Sequence, residues 1–415
     1  MIIITRNYGK PSEKESIEMV ERKGLGHPDT LCDLIAEEFS NSYSKYCIEN
    51  FGCVLNHWVD KILLSGGTAE LDFGKMKIEK PITAYLFGKA ISKVGSEDID
   101  IEAIFKKSVA EIFSRIFLNQ KILDNVNYVI DINNGIGKEH SKEFYSPKSA
   151  EEIKNSWETL RSNDTIICSG YAPLSFVEML SIDLENFINS ADFKGLFPET
   201  GWDVKVMITR VNDSLDITIC LPFIASATPS YEYYSKKLEA AKKRIKEKIE
   251  SEIKKSNFLA SRIYLNINTK DKGEFVYLTA FGTALDKGDY GAVGRGNKYC
   301  GVIAVNRESN IEAVPGKNPT NHSGKLYTIL AHDLACRINK LTLVDVCVNI
   351  SARNGDDIGS PAFVAVKHRD SINGLKRKEI NDIIENSLKQ IYLYPTKIIN
   401  SDVIENHISR TSLLD

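Results

Sequence analysis

No stretch of the chain reaches the ~18–20 consecutive apolar residues that a membrane-spanning helix needs, and none of the eight cysteines stands in a Cys-x-x-Cys pair. The seven histidines lack zinc-ligand spacing, so a structural zinc site is not expected. An excess of one charge is missing too: 53 lysines and arginines stand against 56 aspartates and glutamates, a formal net charge of −3. So close a balance argues against a dedicated nucleic-acid or membrane-surface binder and leaves room only for local basic pockets. There is no low-complexity tract, no Pro-rich linker and no short-period repeat. No glycine-rich stretch is a Walker A loop, because Gly-Lys-Ser/Thr is absent, and Gly24-Leu25-Gly26 fails the dinucleotide fingerprint because Asp29 occupies the third glycine position.

What is there is ordinary for a folded protein, with 42% apolar and 9% aromatic residues. A chain of 415 residues exceeds what one hydrophobic core organises, so about two or three domains are expected. Soft boundaries divide it into 1–145, 146–265 and 266–415. The N-terminal Met1-Ile2-Ile3-Ile4-Thr5-Arg6 is a short apolar burst that stops at a charge. It has neither the length nor the order of a signal peptide and reads as a first strand. The cysteines sit in apolar segments such as Ile219-Cys220-Leu221 and Val346-Cys347-Val348, the pattern of buried, reduced thiols in a cytosolic protein.

Period-two stretches predict strands over Val54–Leu64, Asn127–Ile132, Val204–Val211, Leu215–Leu221, Val344–Ile350 and Ala362–Val366. Val204–Val211 and Leu215–Leu221 flank Asn212-Asp213-Ser214 and read as a hairpin, and the same pairing is expected of Tyr264–Ile267 with Phe275–Phe281. The clearest helix runs over roughly Ser235–Lys255, with Leu238, Ala241, Ile245, Ile249 and Ile253 on one stripe. Its opposite face interleaves lysine with glutamate, which reads as a solvated surface rather than a nucleic-acid contact. Hairpins alternating with packing helices predict the α+β class rather than a doubly wound parallel sheet.

Three segments carry chemistry. Glu21-Arg22-Lys23-Gly24-Leu25-Gly26-His27-Pro28-Asp29-Thr30 feeds a helix marked by Leu31, Ile35, Phe39 and Tyr43. A glycine-containing loop at a helix start presents unpaired N–H groups that suit a phosphate, with His27 as a cation and Asp29 as a hard oxygen ligand for Mg²⁺. The same residues also fit a plain helix cap made by Asp29 or Thr30. Gly288-Asp289-Tyr290-Gly291-Ala292-Val293-Gly294-Arg295-Gly296-Asn297 combines close backbone approach with Asp289 and Arg295. Gly316-Lys317-Asn318-Pro319-Thr320-Asn321-His322 puts a lysine before a helix entry, where it fits a phosphate or an ordinary surface turn. Two smaller pieces join them: Asn163-Asp164-Thr165 before an apolar run, and Asp203-Val204-Lys205, where alternation puts Asp203 and Lys205 on one strand face.

Together, in this order and over nearly the whole chain, these segments resemble the S-adenosylmethionine synthetase (methionine adenosyltransferase) family in its archaeal-type branch. Glu21–Asp29, Leu63–Gly67, Gly170–Ser175, Gly291–Asn297 and Gly316–Pro319 are the strings that carry the likeness. The resemblance implies three similar α+β domains around a pseudo-threefold axis, with interleaved sequence, and a homodimer whose active sites lie between subunits. It implies ATP and L-methionine as partners and Mg²⁺ as cofactor, with K⁺ a further candidate, and neither nucleic acid nor membrane.

By the same resemblance His27 stands beside the bridging oxygen of the leaving triphosphate and Asp29 binds Mg²⁺. Asp164 contacts the substrates near the methionine–nucleoside junction, Asp203 holds the ribose, and Lys205 brings charge to the reacting region. Asp289 takes the methionine ammonium, Arg295 and Lys317 neutralise phosphates, and Tyr277 or Phe281 stacks on adenine. The loop Gly135–His140 is a weaker candidate for ATP contact. Gly296, Asn321 and Ser323 depart from the better-known bacterial branch, which has charged residues there. A thioether nucleophile carries no proton, so the expected set needs no general base, only alignment and cations for the departing polyanion. The rival readings are an ATP-dependent phosphotransferase and a non-catalytic nucleotide-binding homologue.

Overall fold

The computed structural model describes residues 1–6, 15–133, 145–157, 160–256, 258–369 and 372–409. Three sheets, each covered on one side by helices, bury three hydrophobic cores, which is an α+β architecture. In the first sheet Tyr290–Ala292 and Ile82–Ala90 run antiparallel to His57–Ser65 on either side, and Val126–Asn133 runs parallel to Ile82–Ala90. Its core joins Ile62, Leu64 and Leu86 to Leu31, Ile35, Phe39 and Tyr43 of the helix Pro28–Phe51 and to Phe105 and Phe113 of the helix Ile101–Ile116.

The second sheet has the order Arg262–Ile267, Ser214–Cys220, Lys205–Val211, Ile17–Lys23, Ile303–Ala304. The helices Phe176–Ile188 and Tyr231–Ser256 cover it. The third has Ile2–Thr5 parallel to Phe363–His368, then Val346–Ser351 and Ile167–Ala172, each antiparallel to its neighbour, under the helix Ser323–Thr342. Each sheet therefore combines segments far apart in sequence.

The hairpin Lys205–Val211 with Ser214–Cys220 forms as predicted, turning through Asn212 at φ +53°. In the long helix Ala241, Ile245 and Ile249 are buried, while Lys246–Glu250 and Lys248–Glu252 ion pairs occupy the outer face. The pairing expected of Tyr264–Ile267 with Phe275–Phe281 does not occur. Arg262–Ile267 instead lies parallel to Ser214–Cys220, and Leu278–Thr279 pairs with Phe223–Ile224. The cause is Asn268, at φ +49°, whose side chain accepts from Leu221 N–H (2.8 Å) and donates to Leu221 C=O (2.8 Å). Those bonds end the strand and turn the chain away. Among the cysteines, Cys220 is exposed, because it falls on the outward phase of its strand.

The strand Ile17–Lys23 has an inverted pattern. Glu18, Val20 and Arg22 face inward, while Ile17 and Met19 are 46% and 45% exposed. The buried charges are satisfied: Glu18 pairs with Arg210 (3.2 Å) and Arg22 with Glu185 (2.9 Å). Val211, opposite Ile17 in register, is also exposed, so the outer face of this sheet carries an apolar patch at this end.

Candidate active site

The loop that follows Ile17–Lys23 lies flat against Trp202–Val204. Gly24 N–H donates to Val204 C=O (2.7 Å) and Gly26 N–H to Trp202 C=O (2.9 Å). A Cβ at Gly24 would meet Val204 O at 2.5 Å and one at Gly26 would meet Trp202 C at 2.6 Å, so neither position admits a side chain without moving backbone. The helix cap is His27, rather than the Asp29 or Thr30 considered from sequence, and Pro28 opens the first turn. His27 Nδ1 accepts from Asp29 N–H (3.2 Å). A neutral ring so engaged carries its proton on Nε2, as a donor. Burial, then the nearby Lys23, pushes the His27 pKa down to about 4, with Asp29 opposing and Lys205 adding to the fall.

The glycine-rich loop is laid across the first two turns of this helix. Gly291 sits where a Cβ would be 2.2 Å from Pro28 O. Asp29 Oδ1 accepts from Ala292 N–H (3.0 Å), and one turn on Asp33 Oδ1 accepts from Gly294 N–H (2.7 Å). Asp29 and Asp33, four residues apart on one helix face, thus hold the loop by its amides. Burial raises the Asp33 carboxyl to about 7 against those amide bonds.

The result is a cleft of ≈ 600 Å³ that brings together His27, Asp29, Lys205, Asp289 and Arg295, with Lys23 beside them. Lys205 Nζ pairs with Glu21 Oε1 at 3.1 Å. Asp203 lies just before the strand Lys205–Val211 and is buried, not solvated as a strand-face charge would be. Its Oδ2 accepts from Ala284 N–H (2.9 Å) and Tyr277 Oη–H (3.4 Å), and burial raises it to about 7. Of the two aromatic candidates, Tyr277 is half-buried under the Lys287 ammonium (4.9 Å from the ring centre). Phe281 is 2% exposed inside the first core.

Lys317 and Asp164 lie outside the cleft. Lys317 pairs with Trp58 and its ammonium lies at Val59 and Asp60, while the cleft is lined by Leu63 and Ser65 further along the same strand, so the two are roughly 10–20 Å apart. The Lys317 ammonium is buried against Val59 O (3.3 Å), Asp60 (3.6 Å) and Glu312 (3.6 Å). Its carbonyl takes bonds from Lys325 Nζ (2.9 Å) and Ser40 Oγ (3.2 Å). Asp164 stands close to this second group, since its neighbour Asn163 accepts from Ser323 N–H (3.2 Å) and its carbonyl accepts from Ser323 Oγ (3.3 Å). Gly135–His140 falls outside the described residues. Sequence reading missed Lys23 and Asp33. The i, i+4 spacing of Asp33 from Asp29 was an available signal; nothing in the spacing of Lys23 marked it.

Among the described residues no group of three or more His, Cys, Asp or Glu side chains is arranged to hold a metal. Likewise, no described helix is long and apolar enough to cross a membrane.

The fold thus gathers lysine, arginine, histidine and aspartate side chains from remote stretches of sequence in one cleft. The S-adenosylmethionine synthetase (AdoMet synthetase) family profile matches residues 1–402. The S-adenosylmethionine synthase of Aeropyrum pernix is 35% identical over 97% of this chain and 98% of its own length. That of Pyrococcus furiosus is 33% identical over 88% of each. A solved S-adenosylmethionine synthetase from Campylobacter jejuni shares the fold, with a TM-score of 0.52 at 17% identity over 92% of this chain and 88% of its own. The chain belongs to the S-adenosylmethionine synthetase family and is a methionine adenosyltransferase, an ATP-using enzyme of a family that requires metal ions.

Proposed function

We propose that the cleft of His27, Asp29, Lys205, Asp289 and Arg295 binds the triphosphate end of ATP beside methionine, and that the reaction is a single in-line displacement. The methionine sulfur attacks C5′ of ATP. An S–C5′ bond forms as the C5′–O bond breaks, the bonding pair leaves on the triphosphate, and the sulfur becomes a sulfonium. No proton is abstracted, so the residues have two tasks, alignment and charge. Convergence of these five residues, from three remote stretches of sequence, in one cleft is the observation that carries the reading.

His27 offers Nε2–H to the departing oxygen, and Arg295 takes charge on the phosphates. Lys205 brings its ammonium to the reacting region, and Asp289 takes the methionine ammonium. Asp203 holds the ribose hydroxyls with Tyr277 at its side, and Tyr277 rather than the core residue Phe281 meets adenine. Mg²⁺, with K⁺ as a further cation, neutralises the polyphosphate, with Asp29 as a ligand. Water then cleaves the bound triphosphate to phosphate and diphosphate before the product leaves.

The working form is a cytoplasmic homodimer with its sites between subunits. Asp164 stands away from the cleft of its own chain, which suits its reaching the partner's cleft, whereas the Lys317 ammonium is turned inward against Val59, Asp60 and Glu312 of its own chain. The exposed Ile17, Met19, Met207 and Val211 give the second sheet an apolar outer face of the kind that marks a subunit interface.

Incubation with ATP, L-methionine and Mg²⁺, with and without K⁺, is expected to yield S-adenosylmethionine, phosphate and diphosphate by mass spectrometry. Intact triphosphate as the final product would remove the second step, and AMP or phosphoryl transfer would replace the first. Asp289→Asn is expected to raise the methionine KM about 10-fold and leave the ATP KM nearly unchanged. An unchanged methionine KM would take Asp289 out of that role.

A further inference from the structure

The position after Arg295 is closed to a side chain unless Asp33 moves. A Cβ on Gly296 would lie 2.0 Å from Asp33 Oδ2, and Asp33 is fixed by Gly294 N–H. An ammonium group reaches this loop from a neighbouring strand instead. Lys23, the last residue of the strand Ile17–Lys23, donates from Nζ to Arg295 C=O (2.6 Å) and to Asp29 Oδ2 (2.9 Å). Its backbone is held to the same loop, because Lys23 N–H donates to Asn297 Oδ1 (2.9 Å) and Asn297 Nδ2 donates to Lys23 C=O (2.7 Å). Lys23 and Arg295 therefore keep a fixed relation.

An ammonium has three N–H donors. Two are used on Arg295 and Asp29, and the remaining near acceptor, Glu21 Oε1, is 3.9 Å away and already serves Lys205 at 3.1 Å. One donor is left, on a side chain that lines the cleft. The charge balance agrees. Among the lining residues Lys23, Lys205 and Arg295 face two carboxylates, Asp29 and Asp289. Without Lys23 the two signs cancel, a poor setting for a polyanion.

We infer that Lys23 is a direct phosphate-binding cation of the cleft, supplied by the strand because the loop position after Arg295 is closed. The inference rests on the reading that this cleft holds the triphosphate. A role limited to neutralising Asp29 would account for one of the two Nζ bonds, but not for the bond to Arg295 or the donor left over.

The test is calorimetric titration of inorganic tripolyphosphate into the full-length protein without metal, so that a metal bound at Asp29 does not enter. Because K23M alone leaves Asp29 buried without its cation, D29N is compared with K23M/D29N, in which no carboxylate is stranded. D29N is expected to bind tripolyphosphate and K23M/D29N to bind it about 10–100-fold more weakly, the worth of one charge-assisted hydrogen bond. K23R/D29N is expected to recover most of the affinity. Equal affinity of D29N and K23M/D29N, with R295M weakened, would overturn the inference and leave Lys23 as a partner of Asp29 only. If R295M is also unchanged, the placement of triphosphate in this cleft falls instead.

Discussion

His27→Ala is expected to bind ATP nearly as well as the wild-type protein and to turn it over about 10²–10³-fold more slowly, the usual loss when a donor aimed at a developing oxyanion is removed. The expectation follows from how the ring is held. Nδ1 is committed to the helix, accepting from Asp29 N–H, and the low pKa keeps the ring neutral near pH 7, so Nε2–H is the group left to face the leaving oxygen. The substitution also removes a helix cap, worth about 1 kcal/mol, so a small fall in thermal midpoint accompanies the loss of rate.

Acid sensitivity separates the two effects. Between pH 6.5 and about 4 the unfolded chain takes up a proton on this ring that the folded chain refuses. Ligand-free stability therefore declines as pH falls through that window, and His27→Ala flattens its share of the decline. Steady-state kinetics and thermal midpoints between pH 4 and 7 measure both, and wild-type turnover in the variant would remove His27 from the chemistry.

Arg22→Met is expected to cost about 3–5 kcal/mol of stability, the usual penalty for stranding one member of a buried ion pair. Arg22 and Glu185 are both fully buried. The guanidinium donates to Glu185 Oε2 (3.0 Å), Gly301 C=O (2.7 Å) and His407 C=O (3.0 Å), joining the strand Ile17–Lys23 to the helix Phe176–Ile188 and to the C-terminal helix Val403–Ser409. Glu185 Oε1 in turn accepts from Leu25 N–H (3.3 Å) and Asn189 Nδ2 (2.7 Å), so the pair also supports the loop that carries His27. The double variant R22M/E185L is expected to recover a large part of the loss, since neither charge of this pair is then stranded. Urea unfolding midpoints of the two variants decide this, and equal destabilisation of both would assign the effect to packing rather than to charge.

The same strand explains where sequence reading stopped. Helices with an apolar stripe, such as Tyr231–Ser256, and strands with apolar residues inward, such as Lys205–Val211, obey the periodicity that reveals them. Ile17–Lys23 has Glu18 and Arg22 inside and Ile17 and Met19 outside, so its alternation gives no hint of which face is buried. Its end, Lys23, was missed with it. For Asp203 the order of motifs names the residue but its burial is not legible: a charge at a strand start is ordinarily solvated, and the loop at Ala284, brought in from far along the chain, is what covers it. His27, Asp29, Lys205, Asp289 and Arg295 were readable because glycines that permit close backbone approach, or their place in the family's order of motifs, marked them. No pattern in one chain, however, could say that Lys317 would stand apart from the cleft.

The third sheet sets a timetable for synthesis. Its edge strand, Ile2–Thr5, is made long before Phe363–His368, its only partner among the described residues. At about 5–20 residues per second a ribosome needs roughly 20–70 seconds to deliver that partner. The second sheet waits almost as long for Ile303–Ala304 at its other edge. For most of translation the nascent chain therefore carries the apolar strand Ile2–Thr5 with nowhere to pair, and the third sheet closes only after its last strand is made.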